Sequence, residues 1–157
     1  MYHFVLSFLP VPMLQLLNSS HVEQVCAMLT RYFENHNRLK GESYLQTDID
    51  LMKKNVSGRL SKNAQSAVKY FGIVEDGRVK GFVNYFDNQN KGVLEILLLV
   101  DEGLSAEEKK LLVDHCIYEK QKKWYAKITA EFADHDDHFA MMFIQHGAKW
   151  MSSNYVL

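Results

Sequence analysis

The sequence predicts a mixed α/β (α+β) fold: a mainly antiparallel central sheet of six to seven strands flanked by four helices. Three observations predict it. Apolar residues recur at three- and four-residue steps up to Leu60, and from Val68 the period drops to two around an Asp76-Gly77 turn. After an unbroken apolar run over 93–100, helical and strand periods alternate to the C-terminus. With 157 residues, 47% of them hydrophobic, one domain can bury roughly 68 to 70% of its unfolded surface, and two would be too small. The expected organisation is an apolar arm over 1–12 and one domain over 13–157. Met13 could equally be the natural start, since 14–17 already reads as a first strand.

Each element has its own signal. Ser20 with Glu23 reads as a capping box, and Val22, Val25, Cys26, Leu29, Tyr32 and Phe33 form the apolar stripe of a first helix ending near Asn35-His36-Asn37. Thr47 with Asp50 marks a second start, followed by the narrower stripe Ile49, Met52, Val56 and Leu60, which Ser57-Gly58 weakens. Val68, Tyr70, Gly72 and Val74 alternate with Lys69, Phe71 and Ile73, then Asp76-Gly77 turns the chain into a return strand over 79–86. Asp87-Asn88-Gln89-Asn90-Lys91-Gly92 is turn chemistry throughout, so the strand over 93–100 completes an antiparallel meander. A third helix runs from about Ser105 to Trp124 on Leu112, Val113, Cys116 and Ile117, with Lys120, Lys122 and Lys123 suiting its C-terminal dipole. Ile128, Ala130 and Phe132 mark a fifth strand. Asp134 can cap a fourth helix on Phe139, Met142 and Phe143, stopped by Gly147, and 148–157 returns as a last strand bent at Ser152-Ser153-Asn154.

Composition narrows the partners. Eighteen basic against 19 acidic residues leave a net charge of −1, so there is no global field to collect nucleic acid or anionic membrane, and a small molecule is the expected partner. The apolar N-terminus lacks any Lys or Arg before Arg31, and Pro10 and Pro12 break it well short of the roughly 20 residues a membrane helix needs, so neither signal nor anchor is expected. Cys26 and Cys116 fall in helical patterns and read as free thiols of a cytoplasmic protein. Lys120, Lys122, Lys123 and Lys127 around Trp124 and Tyr125 read as a solvated helix end with its aromatics turned inward, not as a nucleic-acid surface. His135, Asp136 and His138 lack the Cys or Glu that would complete a ligand set, so no metal is expected. The apolar arm could cover a neighbour's sheet edge and so make a homodimer.

The order strand, two helices, three antiparallel strands, helix, strand, helix, strand resembles the GNAT N-acetyltransferase superfamily over residues 13–157. Glu95-Ile96 four residues before Val100-Asp101, the helix start at Ser105, and a helix over 137–147 closing on glycine sharpen the resemblance. It implies an acyl-CoA gap between the fourth and fifth strands, with Leu98 and Val100 holding the pantetheine arm and thioester. It places Ser105, Ala106, Lys109 and Lys110 at the pyrophosphate, and Asp137 and Phe143 beside the cofactor. The implied activity is transfer of an acetyl group from acetyl-CoA to a small-molecule amine, bound near a polar rim of Asn35, Asn37, Arg38, Glu42 and Tyr44. Glu95 is the candidate general base, because an ammonium must lose its proton before it attacks, and a carboxylate in the strand gap can take it.

The sequence also departs from the family. The usual phosphate loop, Gln or Arg, two residues, Gly, one residue, then Gly or Ala, aligns with 105–110, which holds no glycine, and Gly103 falls before the helix cap. Glycines there let the backbone approach pyrophosphate closely. Ser105 and Glu108 form a capping box that occupies two amides, and Glu107 and Glu108 have the wrong sign. Phe143 stands where many members carry a tyrosine that reprotonates the thiolate, and Asp137 replaces a neutral Asn. These departures define the alternative, a non-catalytic GNAT-fold binding module. An open gap beside Leu98 and Val100 favours the enzyme; a gap filled by Phe132, Phe139 or Phe143 favours the module.

Overall fold

The computed structural model describes residues 12–40, 45–62, 65–131, 137–151 and 154–156. The order is β1 (Met13–Leu16), a 3₁₀ turn (Ser19–His21), α1 (Val22–Lys40), α2 (Gln46–Lys62), β2 (Val68–Glu75), β3 (Arg78–Asn88), β4 (Val93–Asp101), α3 (Ala106–Lys122), β5 (Lys127–Glu131), α4 (Asp137–Gln145), β6 (Lys149–Met151) and β7 (Asn154–Val156). One sheet runs β1-β2-β3-β4-β5-β7-β6. Five of these strands, β1 to β5, make up the body of the sheet, and β6 and β7 are three-residue strands on the far side of β5. The arm over 1–11, Glu42, Tyr44, Phe132, Asp134, His135 and Asp136 lie outside the described residues.

Both faces of the sheet are covered, which is why its strands read as nearly continuous apolar runs. Tyr70, Val74, Phe82 and Val100 pack with Val25, Leu29 and Phe33 of α1 and with Val56 and Leu60 of α2. Ile73, Val83, Tyr85, Leu94, Ile96 and Leu99 pack with Leu112, Val113 and Cys116 of α3 and with Phe139 and Phe143 of α4. The Asp76-Gly77 turn has φ +50° and +74°, the left-handed pair that a two-residue hairpin requires.

Several boundaries differ from expectation. Asn18, not Ser20, caps the first helix: its side chain accepts the Ser20 amide at 2.9 Å, and His21 Nδ1 accepts the Asn18 amide at 3.0 Å. The Ser20 and Glu23 pairing is displaced because Asn18 reaches the chain two residues earlier. α1 continues past Asn37, where Arg38 donates to Asn35 Oδ1 at 2.5 Å along the helix. α2 starts at Gln46, and Asp48 rather than Thr47 closes its start by accepting the Leu45 amide at 3.1 Å. β3 runs through Asp87 to Asn88, because the Asp87 amide donates to the Ala67 carbonyl at 2.8 Å and its carboxylate pairs with Lys123. A residue with turn chemistry is here a satisfied buried acid. Trp124 overturns the inward-turned aromatics: it is 93% exposed, with φ +57° in the turn that ends α3.

Register creates the feature that matters for function. Asn84 pairs with Leu98 and Tyr85 with Ile96, so Leu97 is an extra residue in β4, a bulge. Close packing at Gly81 holds the end of β4 in place. A Cβ at Gly81 would meet the Leu104 side chain at 2.4 Å and the Val100 carbonyl oxygen at 2.7 Å. Gly81→Ala is therefore expected to cost about 1–3 kcal/mol, read as a lower urea midpoint with an unchanged slope. An unchanged midpoint would show that Leu104 and β4 give way freely.

Candidate active site

β4 pairs in parallel with β5 only from Val93 to Ile96, opposite Lys127 to Ala130. Beyond Ile96 the strands part. On its other edge β5 pairs with β7 through Thr129, Ala130 and Glu131, and the bulge at Leu97 adds twist to β4 where the two strands part. From Leu97 to Asp101 no residue of β4 has a ladder partner on that side among the described residues.

A cleft of about 400 Å³ opens beside the free end of β4. Leu99, Val100, Asp101 and Glu102 form its floor. α1 contributes Met28, Arg31, Tyr32 and Asn35, spaced three and four apart and so on one side of the helix. Lys109 enters from α3, and His138 and Phe139 from the start of α4.

The cleft is charged and internally paired. Arg31 grips Glu102 in a fork, with Nε 3.0 Å from both carboxylate oxygens and Nη2 2.5 Å from Oε1. That hydrogen bond raises the guanidinium further above its already high range, so Arg31 is always charged. Lys109 Nζ lies 3.2 Å from Asp101 Oδ2 and 3.1 Å from His138 Nδ1, and sits 5.9 Å from the centroid of the Phe139 ring. Asp101 is itself fixed, because its Oδ1 accepts the amides of Gly103 at 3.0 Å and Leu104 at 2.8 Å.

The start of α3 carries the expected capping box: Ser105 Oγ accepts the Glu108 amide at 3.1 Å, and Glu108 Oε1 accepts the Ser105 amide at 2.9 Å. Glu108, however, presents no negative charge to the cleft. It is buried and takes Lys80 Nζ at 2.8 and 3.1 Å. Burial works against its charge, but hydrogen bonds from Lys80 and Ser105 outweigh that and hold the carboxyl below its usual range. The wrong-sign argument is thus reduced to Glu107, which is exposed.

Of the sequence-predicted residues, Val100, Lys109 and Asn35 line the cleft. Leu98 packs against the core beneath α1 and α2, on the same strand edge. Ser105 and Ala106 stand at the helix start, and Lys110 pairs with Asp114 one turn along α3. Asp137 is the first residue of α4. Phe143 is buried in the core between α4 and the sheet, and Phe139, one turn earlier, is the aromatic of α4 that lines the cleft. Glu95 is half-buried two residues before the bulge, opposite Phe86 and Thr129. Strand alternation puts it on the face away from Leu94 and Ile96, toward α1 and α2.

Sequence reasoning missed Arg31 and Glu102. Arg31 sits on the flank of the α1 stripe with no motif around it, and its partner lies 71 residues away, so only the packing of α1 over the end of β4 joins them. Among the described residues no group of three or more His, Cys, Asp or Glu could hold a metal. Among the same residues no helix is long and apolar enough to cross a membrane.

Solved structures resemble this architecture. A PaiA N-acetyltransferase from Thermoplasma acidophilum, in complex with coenzyme A, superposes with a TM-score of 0.67 at 14% identity, covering 93% of this chain and 96% of that one. A probable acetyltransferase from Staphylococcus epidermidis gives 0.68 at 13% identity, with 94% and 98% covered. The chain has the GNAT acetyltransferase fold. An aminoglycoside 6'-acetyltransferase type Ii shares this GNAT fold as well, with a TM-score of 0.64 at 13% identity and 92% and 93% covered. No protein-family model and no curated protein matches the sequence. The cleft lies beside the part of β4 that continues beyond its pairing with β5.

Proposed function

We propose that this chain is an N-acyltransferase that moves an acetyl group from acetyl-CoA to a small-molecule amine. The observation that carries the reading is the edge of β4: the bulge at Leu97 and the parting from β5 after Ile96 leave it, among the described residues, without a ladder partner beside a cleft of about 400 Å³. A narrow groove with such an edge fits the extended, amide-bearing pantetheine arm, which hydrogen-bonds as a strand does.

Leu98 and Val100 would hold that arm through their backbone. When bound, acetyl-CoA supplies a thioester whose carbonyl carbon an amine can attack. Glu95, on the α1 and α2 side of the same strand, would take a proton from the acceptor ammonium, directly or through one water, and the free amine then attacks. Phe143 is a core residue with no proton to give, so the departing sulfur takes its proton from solvent. Asn35 and Arg38, joined along α1, offer polar contacts for the acceptor.

A second reading, a binding module without turnover, is favoured by the pairing of both cleft cations, Arg31 and Lys109, with carboxylates of β4 and its turn. Calorimetric titration with acetyl-CoA and with CoA separates the two. The enzyme reading expects micromolar affinity and turnover of acetyl-CoA with some amine in a screen. No heat near millimolar concentration would reject it in favour of the module.

A further inference from the structure

We propose that Arg31 of α1, together with Lys109 of α3, binds the phosphate groups of the cofactor in place of a glycine-rich helix start, with Glu102 masking Arg31 until the anion arrives. This inference rests on the acyltransferase reading above. The start of α3 is poorly equipped for pyrophosphate: it has no glycine over 105–110, its capping box engages the Ser105 and Glu108 amides, and Glu107 is exposed at its rim.

The same cleft nevertheless collects two cations from two different elements. Their partners hold them unequally. Asp101 is pinned by the Gly103 and Leu104 amides, so Lys109 is a positioned cation, with one N–H beyond those facing Asp101 and His138 to offer. The Glu102 side chain is 28% exposed and the Arg31 side chain 59% exposed. Water reaches this pair through the Arg31 side, so a stronger anion can compete with Glu102 for the fork. A pyrophosphate brings more charge than one carboxylate, with oxygens spaced for the two-pronged grip of a guanidinium, so it displaces Glu102 from Arg31. Glu102 then turns outward to water.

The proposal makes a prediction about sign. Arg31→Gln and Glu102→Gln break the same ion pair, yet they should move CoA affinity in opposite directions. In calorimetry at low salt, Arg31→Gln is expected to weaken CoA binding tenfold or more, and Glu102→Gln to strengthen it severalfold. Binding of pantetheine, which has the thiol arm and no phosphate, should stay within twofold in both, and thermal melts should show both variants folded. Should Arg31→Gln fail to fold, Arg31→Lys keeps the charge without the fork and is expected to weaken CoA severalfold. Equal losses in both glutamine variants, or pantetheine losses that track those of CoA, would mark a structural ion pair and overturn the proposal. CoA binding by the wild type that Arg31→Gln leaves unaltered overturns the proposal alone. No CoA binding by the wild type overturns the acyltransferase reading and this proposal with it.

Discussion

Glu95→Gln is expected to lower turnover with acetyl-CoA and an amine about a hundredfold or more, the range lost when a positioned general base is removed. Gln keeps the size and the strand position, so β4 retains its pairing with Phe86 and Thr129 on its neighbours. What it loses is the capacity to take a proton. The defect should therefore be greatest below the pKa of the acceptor ammonium and shrink as pH rises and free amine accumulates. CoA affinity should not change, because Glu95 does not line the cleft. The check is kcat and kcat/KM against pH for both proteins, with CoA titrated separately. Equal rates at every pH would remove Glu95 from the mechanism and leave the splayed strand edge without a base.

Lys123→Met is expected to destabilise the fold by about 3 kcal/mol, the lower end for stripping one partner from a buried ion pair. For a chain of this size that corresponds to a fall in Tm of roughly 6 to 12 °C. The Asp87 side chain is 2% exposed and has two side-chain partners, Lys123 Nζ and the Tyr125 hydroxyl, which donates at 2.5 Å. Burial, helped by the bond to Asp87, pushes the Tyr125 phenol up to about 12, so it remains a donor at neutral pH. Without Lys123 the carboxylate keeps its desolvation cost and loses its counter-charge. Adding Asp87→Asn should restore part of the loss by removing the stranded charge, which thermal or urea unfolding of single and double variants would read directly. A single variant as stable as the wild type would mean that solvent or another cation reaches Asp87. CoA affinity should be unchanged, since this network ties the C-terminal end of α3 to β3, at the opposite end of the helix from Lys109.

Two local signals were legible because neighbouring residues complete the interaction, whereas the caps read at Ser20 and Thr47 were displaced to Asn18 and Asp48. Asp76-Gly77 is a hairpin turn because two adjacent residues tolerate positive φ, and Ser105 with Glu108 cap α3 because three residues separate donor from acceptor. The same locality misled where a polar side chain finds a distant partner. Asp87 has turn chemistry only until the end of α3 brings Lys123 and Tyr125 to it. Glu108 looked hostile to phosphate until Lys80 claimed it from β3.

By itself, the sequence determined the succession of the four helices and first five strands, the α/β class and the helix start at Ser105, because hydrophobic periodicity and capping are set by residues a few positions apart; it read β6 and β7 as one strand. Only the tertiary structure decided that β4 bulges at Leu97 and leaves β5 after Ile96, and that Arg31 faces Glu102 and Lys109 across one cleft. Strand partners and ion pairs of that kind form between residues distant along the chain, and no local pattern encodes which of them will meet.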